Sequence, residues 1–112
     1  MADKKKVYLF CSAGMSTSML AANMQECADG HNLPLEVKAF PIGKIDEIVA
    51  AEHPSCVMLG PQVRHQYEET KERIEPQGSP VVLIDQNAYG VMDGEAVLKT
   101  AVKAIKAHKA GK

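Results

Sequence analysis

One cysteine stands where a buried strand gives way to a loop of small and hydroxylated residues. Cys11 follows the apolar run at residues 7–10 and precedes Ser12, Ala13, Gly14, Met15, Ser16, Thr17 and Ser18. Ala13 and Gly14 allow the backbone to turn tightly. The backbone N–H groups of such a loop, with those of the helix N-terminus that follows, form a concave anion site. We therefore predict that Cys11 is a nucleophile that accepts and donates a phosphoryl group, and that residues 12–18 bind the phosphate.

Other roles for Cys11 fit less well. A cysteine outside a disulfide is usually a buried structural residue, but this one opens a polar turn at what we expect to be the exposed carboxyl end of a strand. A redox site of the Cys-x-x-Cys type would need a second cysteine where Gly14 stands. No metal site is expected, because paired ligand spacing is missing among the histidines, which are His31, His53, His65 and His108. Cys27, on the apolar face of a predicted helix, and Cys56, within an apolar strand, are expected in the core.

A cysteine phosphatase is the serious alternative, because such enzymes use a similar strand, loop and helix. They carry the pattern Cys-x5-Arg, in which the arginine grips the phosphate oxygens and stabilises charge in the transition state. Here the sixth residue after Cys11 is Thr17, which forms hydrogen bonds but carries no charge. The arginines are Arg64 and Arg73. We expect Arg64 on a solvated helix surface, with an approach to the site as the alternative. Asp85 is predicted as the acid for a leaving group or as a helix or loop cap.

The missing arginine favours a carrier over a hydrolase. A phosphatase must hydrolyse its phosphocysteine, whereas a carrier must keep it until the correct acceptor arrives. A neutral loop binds the phosphoryl group through backbone amides and gives an attacking water less help. The missing charge would come from the donor or acceptor protein at the moment of transfer. The residues therefore favour a phosphoryl relay, with a low-molecular-weight phosphatase or a thiol redox protein as alternatives.

Composition places the chain among ordinary soluble, globular proteins. Its 112 residues predict a single domain, residues 1–112, large enough for one core. A net charge of −1 gives no reason to expect nucleic acid as a partner. No long apolar stretch predicts a signal peptide or a membrane span. Three widely spaced cysteines do not make a disulfide framework, so we expect a reducing cytoplasm.

Four apolar runs alternate with four helical patterns. The runs are residues 7–10, 35–40, 56–59 and 81–84. The last two are almost wholly apolar, as strands covered on both faces are, whereas the second alternates and is predicted at a sheet edge. The helices are predicted at residues 16–29, 44–52, 62–74 and from 93 onwards. Asp93 is the predicted N-cap of the last helix.

This alternation predicts an α/β fold with a single open four-stranded parallel sheet and helices on both faces. We expect the strand order 2-1-3-4, with a phosphatase-like phosphate loop after strand 1. That order creates a switch point between strands 1 and 3, where ligands of open α/β sheets bind beyond the carboxyl ends of the strands. Because Cys11, Gly60 and Asp85 end strands 1, 3 and 4, the fold itself assembles the candidate site.

In-line phosphoryl transfer requires both partners of a carrier to reach the same face. We therefore expect donor and acceptor to compete for one rim around Cys11, made of the loop at residues 12–18, the exit of strand 3 at residues 60–63 and the loop at residues 85–92. Its apolar and hydroxyl groups are expected to include Met15, Val63 and Tyr89. A small and transient contact suits a complex that must dissociate in each cycle.

Several motifs carry a resemblance to a known family. The specific one is residues 7–18 (VYLFCSAGMSTS). The supporting ones are residues 38–41 (KAFP), 59–62 (LGPQ), Asp85, 89–94 (YGVMDG) and 97–99 (VLK). With these motifs the chain closely resembles, nearly end to end, the IIB component of the bacterial sugar phosphotransferase system, in its lactose/cellobiose (chitobiose) family.

The resemblance implies a phosphotransferase of sugar transport, without a cofactor, whose phosphorylated residue is Cys11 and whose phosphate loop is residues 12–18. The implied donor is a phosphohistidine on the IIA component. The implied acceptor is a sugar of the cellobiose, chitobiose or lactose type, bound by the membrane IIC component. The domain is expected in the cytoplasm, not inserted in the membrane but recruited to its inner face by the permease.

Overall fold

A parallel sheet of four strands forms the centre of the molecule. The computed structural model describes residues 5–12 and 15–110, with side chains for residues 5–12 and 17–107. The strands are β1 (Lys5–Cys11), β2 (Leu35–Pro41), β3 (Cys56–Leu59) and β4 (Val81–Leu83). They are ordered β2-β1-β3-β4, and all neighbours are parallel. The predicted sheet and strand order are confirmed, and β2 lies at an edge as predicted.

Helices connect the strands and follow the last one. In the described residues the α-helices are α1 (Met15–Gly30), α2 (Ile45–Glu52), α3 (Tyr67–Ile74), α4 (Gln86–Gly90) and α5 (Gly94–Ala110). Short 3-10 turns lie at Ile42–Lys44, Pro61–Gln66 and Glu75–Gln77. The Ala96 N–H donates to Asp93 Oδ1 over 3.1 Å, which confirms Asp93 as the cap of α5.

Two segments differ from the predicted ones. The helix predicted at residues 62–74 begins as a 3-10 turn, because Pro61 opens the segment and Val63 has non-helical dihedrals (φ −114°, ψ 24°). The α-helical part starts at Tyr67. The segment 85–92, expected as a loop, contains the short helix α4. Five residues are too few for a helical period to emerge in the sequence.

Each face of the sheet is covered by helices, as predicted. Alternate residues of a strand point to opposite faces. Val7 and Leu9 of β1 pack with residues of α1 and α5, whereas Tyr8 and Phe10 pack with residues of α2 and α3. Cys11 continues the odd-numbered series, so the alternation directs its side chain to the α1 side.

A glycine lets α5 begin directly against α1. A Cβ placed on Gly94 would lie 2.8 Å from the carbonyl carbon of Asn23, 2.9 Å from its Cβ and 2.9 Å from the Met24 nitrogen. The Asn23 side-chain amide donates to the Met92 carbonyl oxygen over 3.2 Å. The segment that follows α4 is thus hydrogen-bonded to, and packed against, the middle of α1.

Charged side chains cluster near the start of β1, away from Cys11. Lys6 Nζ lies 2.6 Å from Glu52 Oε1, and the pair raises the pKa of Lys6 and lowers that of Glu52. The Tyr8 hydroxyl donates to Glu36 Oε2 over 3.3 Å. Burial, aided by the charges of Glu36 and Glu52, raises the pKa of Tyr8 to about 12. These charges are engaged with one another at the end of the sheet that the candidate site does not use.

Across residues 5–12 and 15–110, no helix combines the length and the apolar character that crossing a membrane requires.

Candidate functional site

Cys11 is the last residue of β1, where the switch point was predicted. It is paired with Pro41 of β2 and follows Phe10, which is paired with Leu59 of β3. Its position at the end of the strand is as predicted. Its expected exposure is wrong, because the residue is only 2% exposed. A partner must therefore reach a side chain that is largely covered.

Gly60 forms one wall of the Cys11 environment. Its N–H donates to the Phe10 carbonyl oxygen over 2.9 Å, which continues the pairing of β1 with β3. A Cβ on Gly60 would lie 3.2 Å from the Cys11 Cβ, closer than ordinary van der Waals contact. The absent side chain of Gly60 therefore lets β3 end directly beside the cysteine.

The predicted phosphate loop divides between a bend and a helix. Ser12 is exposed and lies in a bend. Ala13 and Gly14 lie outside the described residues. The residues from Met15 to Ser18 form the first turn of α1 and present backbone N–H groups at its start. An anion site at that helix start is physically reasonable, but phosphate binding by residues 12–18 stays a prediction.

Thr17, the residue at the arginine position of phosphatases, is fully buried and takes part in a hydrogen-bonded trio. Its Oγ1 lies 2.9 Å from the Tyr89 hydroxyl. The Gln62 side-chain amide donates to the same hydroxyl over 2.9 Å. Thr17 lies at the start of α1, Gln62 at the exit of β3 and Tyr89 in helix α4. The trio thus ties together three segments that follow different strands.

Sequence reasoning missed this trio. It assigned Tyr89 and Val63 to an exposed rim, yet both are buried. Val63 belongs to the core layer of Tyr8 and Phe10, because the 3-10 turn rotates it inward. Among the described side chains of the rim, Val91 is a large apolar one that is exposed, at 75%. Tyr89 directly before a glycine was the available signal, but its partners lie too far away in sequence for any local pattern to reveal them.

Asp85 acts as a helix cap. Its carboxylate accepts a hydrogen bond from the Ala88 N–H over 3.0 Å and starts α4. Of the two roles predicted from the sequence, the structure supports capping. The carboxylate therefore positions the helix that carries Tyr89.

Arg64 lines an open cleft next to the trio. The cleft encloses about 850 Å³, and its lining includes Gln62, Arg64, His65, Asn87 and Tyr89. Arg64 is exposed, as expected, although it lies on the 3-10 turn and not on α3. Arg73 is engaged elsewhere, because its Nε lies 2.7 Å from Asp46 Oδ1.

The two remaining cysteines lie away from this site, and no disulfide joins any of the three. Cys56 is fully buried in β3, and burial raises its pKa to about 12. Cys27 packs against the core from the end of α1 but is half-buried and lines a surface groove. The core prediction is confirmed for Cys56 and only in part for Cys27. Within the described ranges, no three histidine, cysteine or acidic side chains gather as metal ligands would.

The sequence matches a known family over most of its length. Residues 6–100 match the family described as the lactose/cellobiose-specific IIB subunit of the PTS system. The chain belongs to this IIB family. Its members are phosphotransferases, so the chain is a phosphoryl-transfer protein of sugar transport.

Curated relatives and a solved structure resemble the IIB chain along nearly its whole length. The cellobiose-specific EIIB component of Lactococcus lactis subsp. lactis is 38% identical, over 90% of this chain and 95% of the relative. The galactose-specific EIIB component of Lactococcus lactis subsp. cremoris has the same identity and coverage. The solution structure of a cellobiose-specific IIB component from Borrelia burgdorferi has a TM-score of 0.78 and 31% identity, and the match covers 96% of this chain and 97% of that one.

Proposed function

We propose that Cys11 is the residue that carries the phosphoryl group in this IIB protein, residues 1–112 acting as one phosphocarrier domain. The thiolate attacks a phosphohistidine of a IIA component, so that an N–P bond breaks and an S–P bond forms. A hydroxyl of a sugar bound by the membrane IIC component then attacks the phosphorus. The S–P bond breaks, an O–P bond forms, and the hydroxyl proton is released.

One observation carries this proposal. Cys11 ends the central strand β1 at the switch point of the sheet, directly before the loop that leads into α1. There the N–H groups that start α1 favour a negatively charged group. Cys56 offers no such setting, because it is enclosed within β3.

Mapping the phosphorylated residue tests the proposal. The protein is incubated with a phosphoenolpyruvate-driven donor system, and the adduct is located by mass spectrometry. We expect one phosphoryl group, on Cys11. Cys11→Ser should abolish the label, while the matched control Cys27→Ser should keep it. Undiminished cysteine labelling in Cys11→Ser would refute the assignment.

Hydrolysis is disfavoured as a main activity. A phosphatase needs a cation where Thr17 stands, and the Thr17 hydroxyl is engaged with Tyr89. We expect turnover of aryl phosphates near background at neutral pH. Rapid turnover that disappears in Cys11→Ser would revive the hydrolase, with Arg64 as the first residue to test.

The partners are proposed to dock around Cys11, on residues 12–18, 60–63 and 85–92. This rim brings donor and acceptor to the same sulfur, as in-line transfer requires. Its exposed side chains include Ser12, Gln62, Asn87 and Val91. Titration with the IIA component should shift backbone amides on this rim. Shifts clustered at the amino ends of the strands would contradict the docking surface.

We propose that the sugar is a disaccharide of the cellobiose, chitobiose or lactose type, and that the protein works in the cytoplasm at the permease. Two relatives of equal identity are named for cellobiose and galactose, so overall identity does not select the sugar. Phosphocysteine loaded in vitro should be discharged when the permease and the matching sugar are both present. Discharge by sugar without permease would contradict a sugar site on the membrane component.

A further inference from the structure

A polar trio, buried except for Gln62, lies beside the wall of Cys11 without containing any group that the proposed transfer consumes. Thr17 is fully buried, and the ring of Tyr89 is buried with it. Buried hydroxyls are retained where their hydrogen bonds specify one arrangement of the surrounding chain. The trio joins the start of α1 to segments that follow β3 and β4. It therefore fixes the position of the helix start relative to the other strand ends.

Gly60 links the trio to the cysteine. The Cβ position of Gly60 lies 3.2 Å from the Cys11 Cβ and 2.8 Å from Gln62 Oε1. The side-chain amide of Gln62 thus folds back over the glycine that walls Cys11, and its nitrogen then reaches Tyr89. Gly60 is therefore the single residue that lies between the Gln62 side chain and Cys11.

One hydrogen bond of the trio has a fixed direction, because the Gln62 amide donates to the Tyr89 oxygen. Between Tyr89 and Thr17 either hydroxyl can be the donor. When Tyr89 donates, the Thr17 proton remains for an acceptor at the start of α1. An anionic phosphoryl oxygen is the strongest acceptor that a loaded Cys11 would bring there. Thr17, at the sequence position where a phosphatase has its arginine, would then contribute a neutral hydroxyl that is hydrogen-bonded to Tyr89.

We propose that Tyr89 is a positioning residue for phosphoryl transfer: held by Gln62, its hydroxyl orients Thr17 and the first turn of α1 toward the phosphoryl group on Cys11. This inference rests on the proposed role of Cys11. Tyr89 acts through Thr17 and does not contact the reacting atoms.

Hydroxyl-deletion variants test the assignment. Tyr89→Phe and Thr17→Val each remove one hydroxyl at nearly constant shape, and Thr17→Ser restores it. Tyr67→Phe is the matched control, because its hydroxyl makes a 3.5 Å contact with the Val81 carbonyl oxygen on the other side of the sheet. Loading of Cys11 is measured in single turnovers over a range of phosphorylated IIA concentrations. The phosphocysteine is observed by 31P NMR.

We expect Tyr89→Phe and Thr17→Val to load about tenfold more slowly at saturating donor, a factor that corresponds to one misaligned hydrogen bond. The donor concentration for half-maximal rate should stay within about twofold, since Thr17 and Tyr89 are buried and the exposed side chains of the docking surface are unchanged. The 31P resonance should shift. Tyr67→Phe should behave like the unchanged protein, and Thr17→Ser should recover most of the rate that Thr17→Val loses. The double variant should be no slower than either single variant.

Three results would overturn the assignment. One is wild-type loading and an unshifted 31P resonance in Tyr89→Phe. Another is Thr17→Ser as slow as Thr17→Val, and a third is a rate loss that appears solely as weaker donor binding. Should the buried variants fail to fold, Gln62→Met at an exposed position removes the donor to Tyr89, and its wild-type rate would equally overturn the idea. If the unchanged protein does not load at Cys11, the proposed function fails instead.

Discussion

Gly60→Ala should separate transfer activity from stability. Gly60 has φ −67° and ψ 156°, which alanine adopts without backbone strain. The added Cβ would lie 2.8 Å from Gln62 Oε1 and 3.2 Å from the Cys11 Cβ. The Gln62 amide is the end of a flexible side chain and can rotate away, whereas Cys11 must shift by a few tenths of an ångström. The substitution thus acts on the two groups that flank the glycine.

The magnitudes favour a selective loss of activity. Overpacking of this extent costs about 1 kcal/mol, and replacing glycine by alanine gains about 0.4–1 kcal/mol through the unfolded chain. Stability should therefore change by less than about 1 kcal/mol. Rotation of Gln62 breaks its hydrogen bond to Tyr89 and the sulfur moves, and small misplacements of this kind cost roughly ten- to a hundredfold in rate.

The assay compares single-turnover loading of Cys11 with thermal unfolding followed by circular dichroism. Gly43→Ala is the matched control, because a Cβ at Gly43 meets no atom within 4 Å. It should load at the wild-type rate, and its stability should change by no more than the gain of about 0.4–1 kcal/mol through the unfolded chain. The reasoning is refuted if Gly60→Ala loads at the wild-type rate, or if it loses rate only in proportion to the unfolded fraction.

Three further predictions concern residues outside the site. Gly94→Ala should cost about 1–3 kcal/mol and lower the unfolding midpoint by about 4–15 °C, because its Cβ would meet Asn23 at 2.8–2.9 Å; an unchanged midpoint in circular dichroism would contradict this packing. Cys56, whose pKa burial raises to about 12, should resist iodoacetamide at neutral pH and react after denaturation; mass spectrometry that finds it alkylated in the folded protein would contradict this. Lys6 lowers the pKa of Glu52 below its ordinary value of 4.5, so Glu52→Gln should lose a salt-sensitive increment of stability above about pH 4.5. In denaturant titrations, the difference in stability between Glu52→Gln and the unchanged protein should vanish as the pH falls through the folded pKa of Glu52. A difference that stays constant with pH would rule out the ion pair.

The sheet could be predicted because its signals are local and repeated. Each apolar run is followed by a helical period, and right-handed crossovers leave few orders for four such units. The alternation in β2, with Leu35 and Val37 inward and Lys38 outward, correctly indicated an edge. Strand ends moved by at most two residues, as at Lys5 and Leu83, because hydrogen bonding with a neighbour, and not the apolar run alone, determines where a strand ends.

The candidate site was predictable only in part. Cys11 and its position at a strand end follow from the junction of an apolar run with a polar turn. The trio does not, since Thr17 and Tyr89 are 72 positions apart and are brought together by the pairing of β1, β3 and β4. The burial of Cys11 was missed for a related reason: the wall beside it is Gly60, which follows a different strand, β3.

Because side chains alternate along β1, the side of the sheet on which the Cys11 sulfur lies changes with every residue that is inserted ahead of it. Val7, Leu9 and Cys11 share one side of the sheet, and Tyr8 and Phe10 share the other. Inserting one residue ahead of the cysteine would turn the sulfur toward α2 and α3, away from the start of α1, even if every hydrogen bond of the ladder were kept. Two inserted residues would restore the side. Insertions or deletions in β1 ahead of Cys11 therefore keep the nucleophile on the α1 side of the sheet only when they involve an even number of residues.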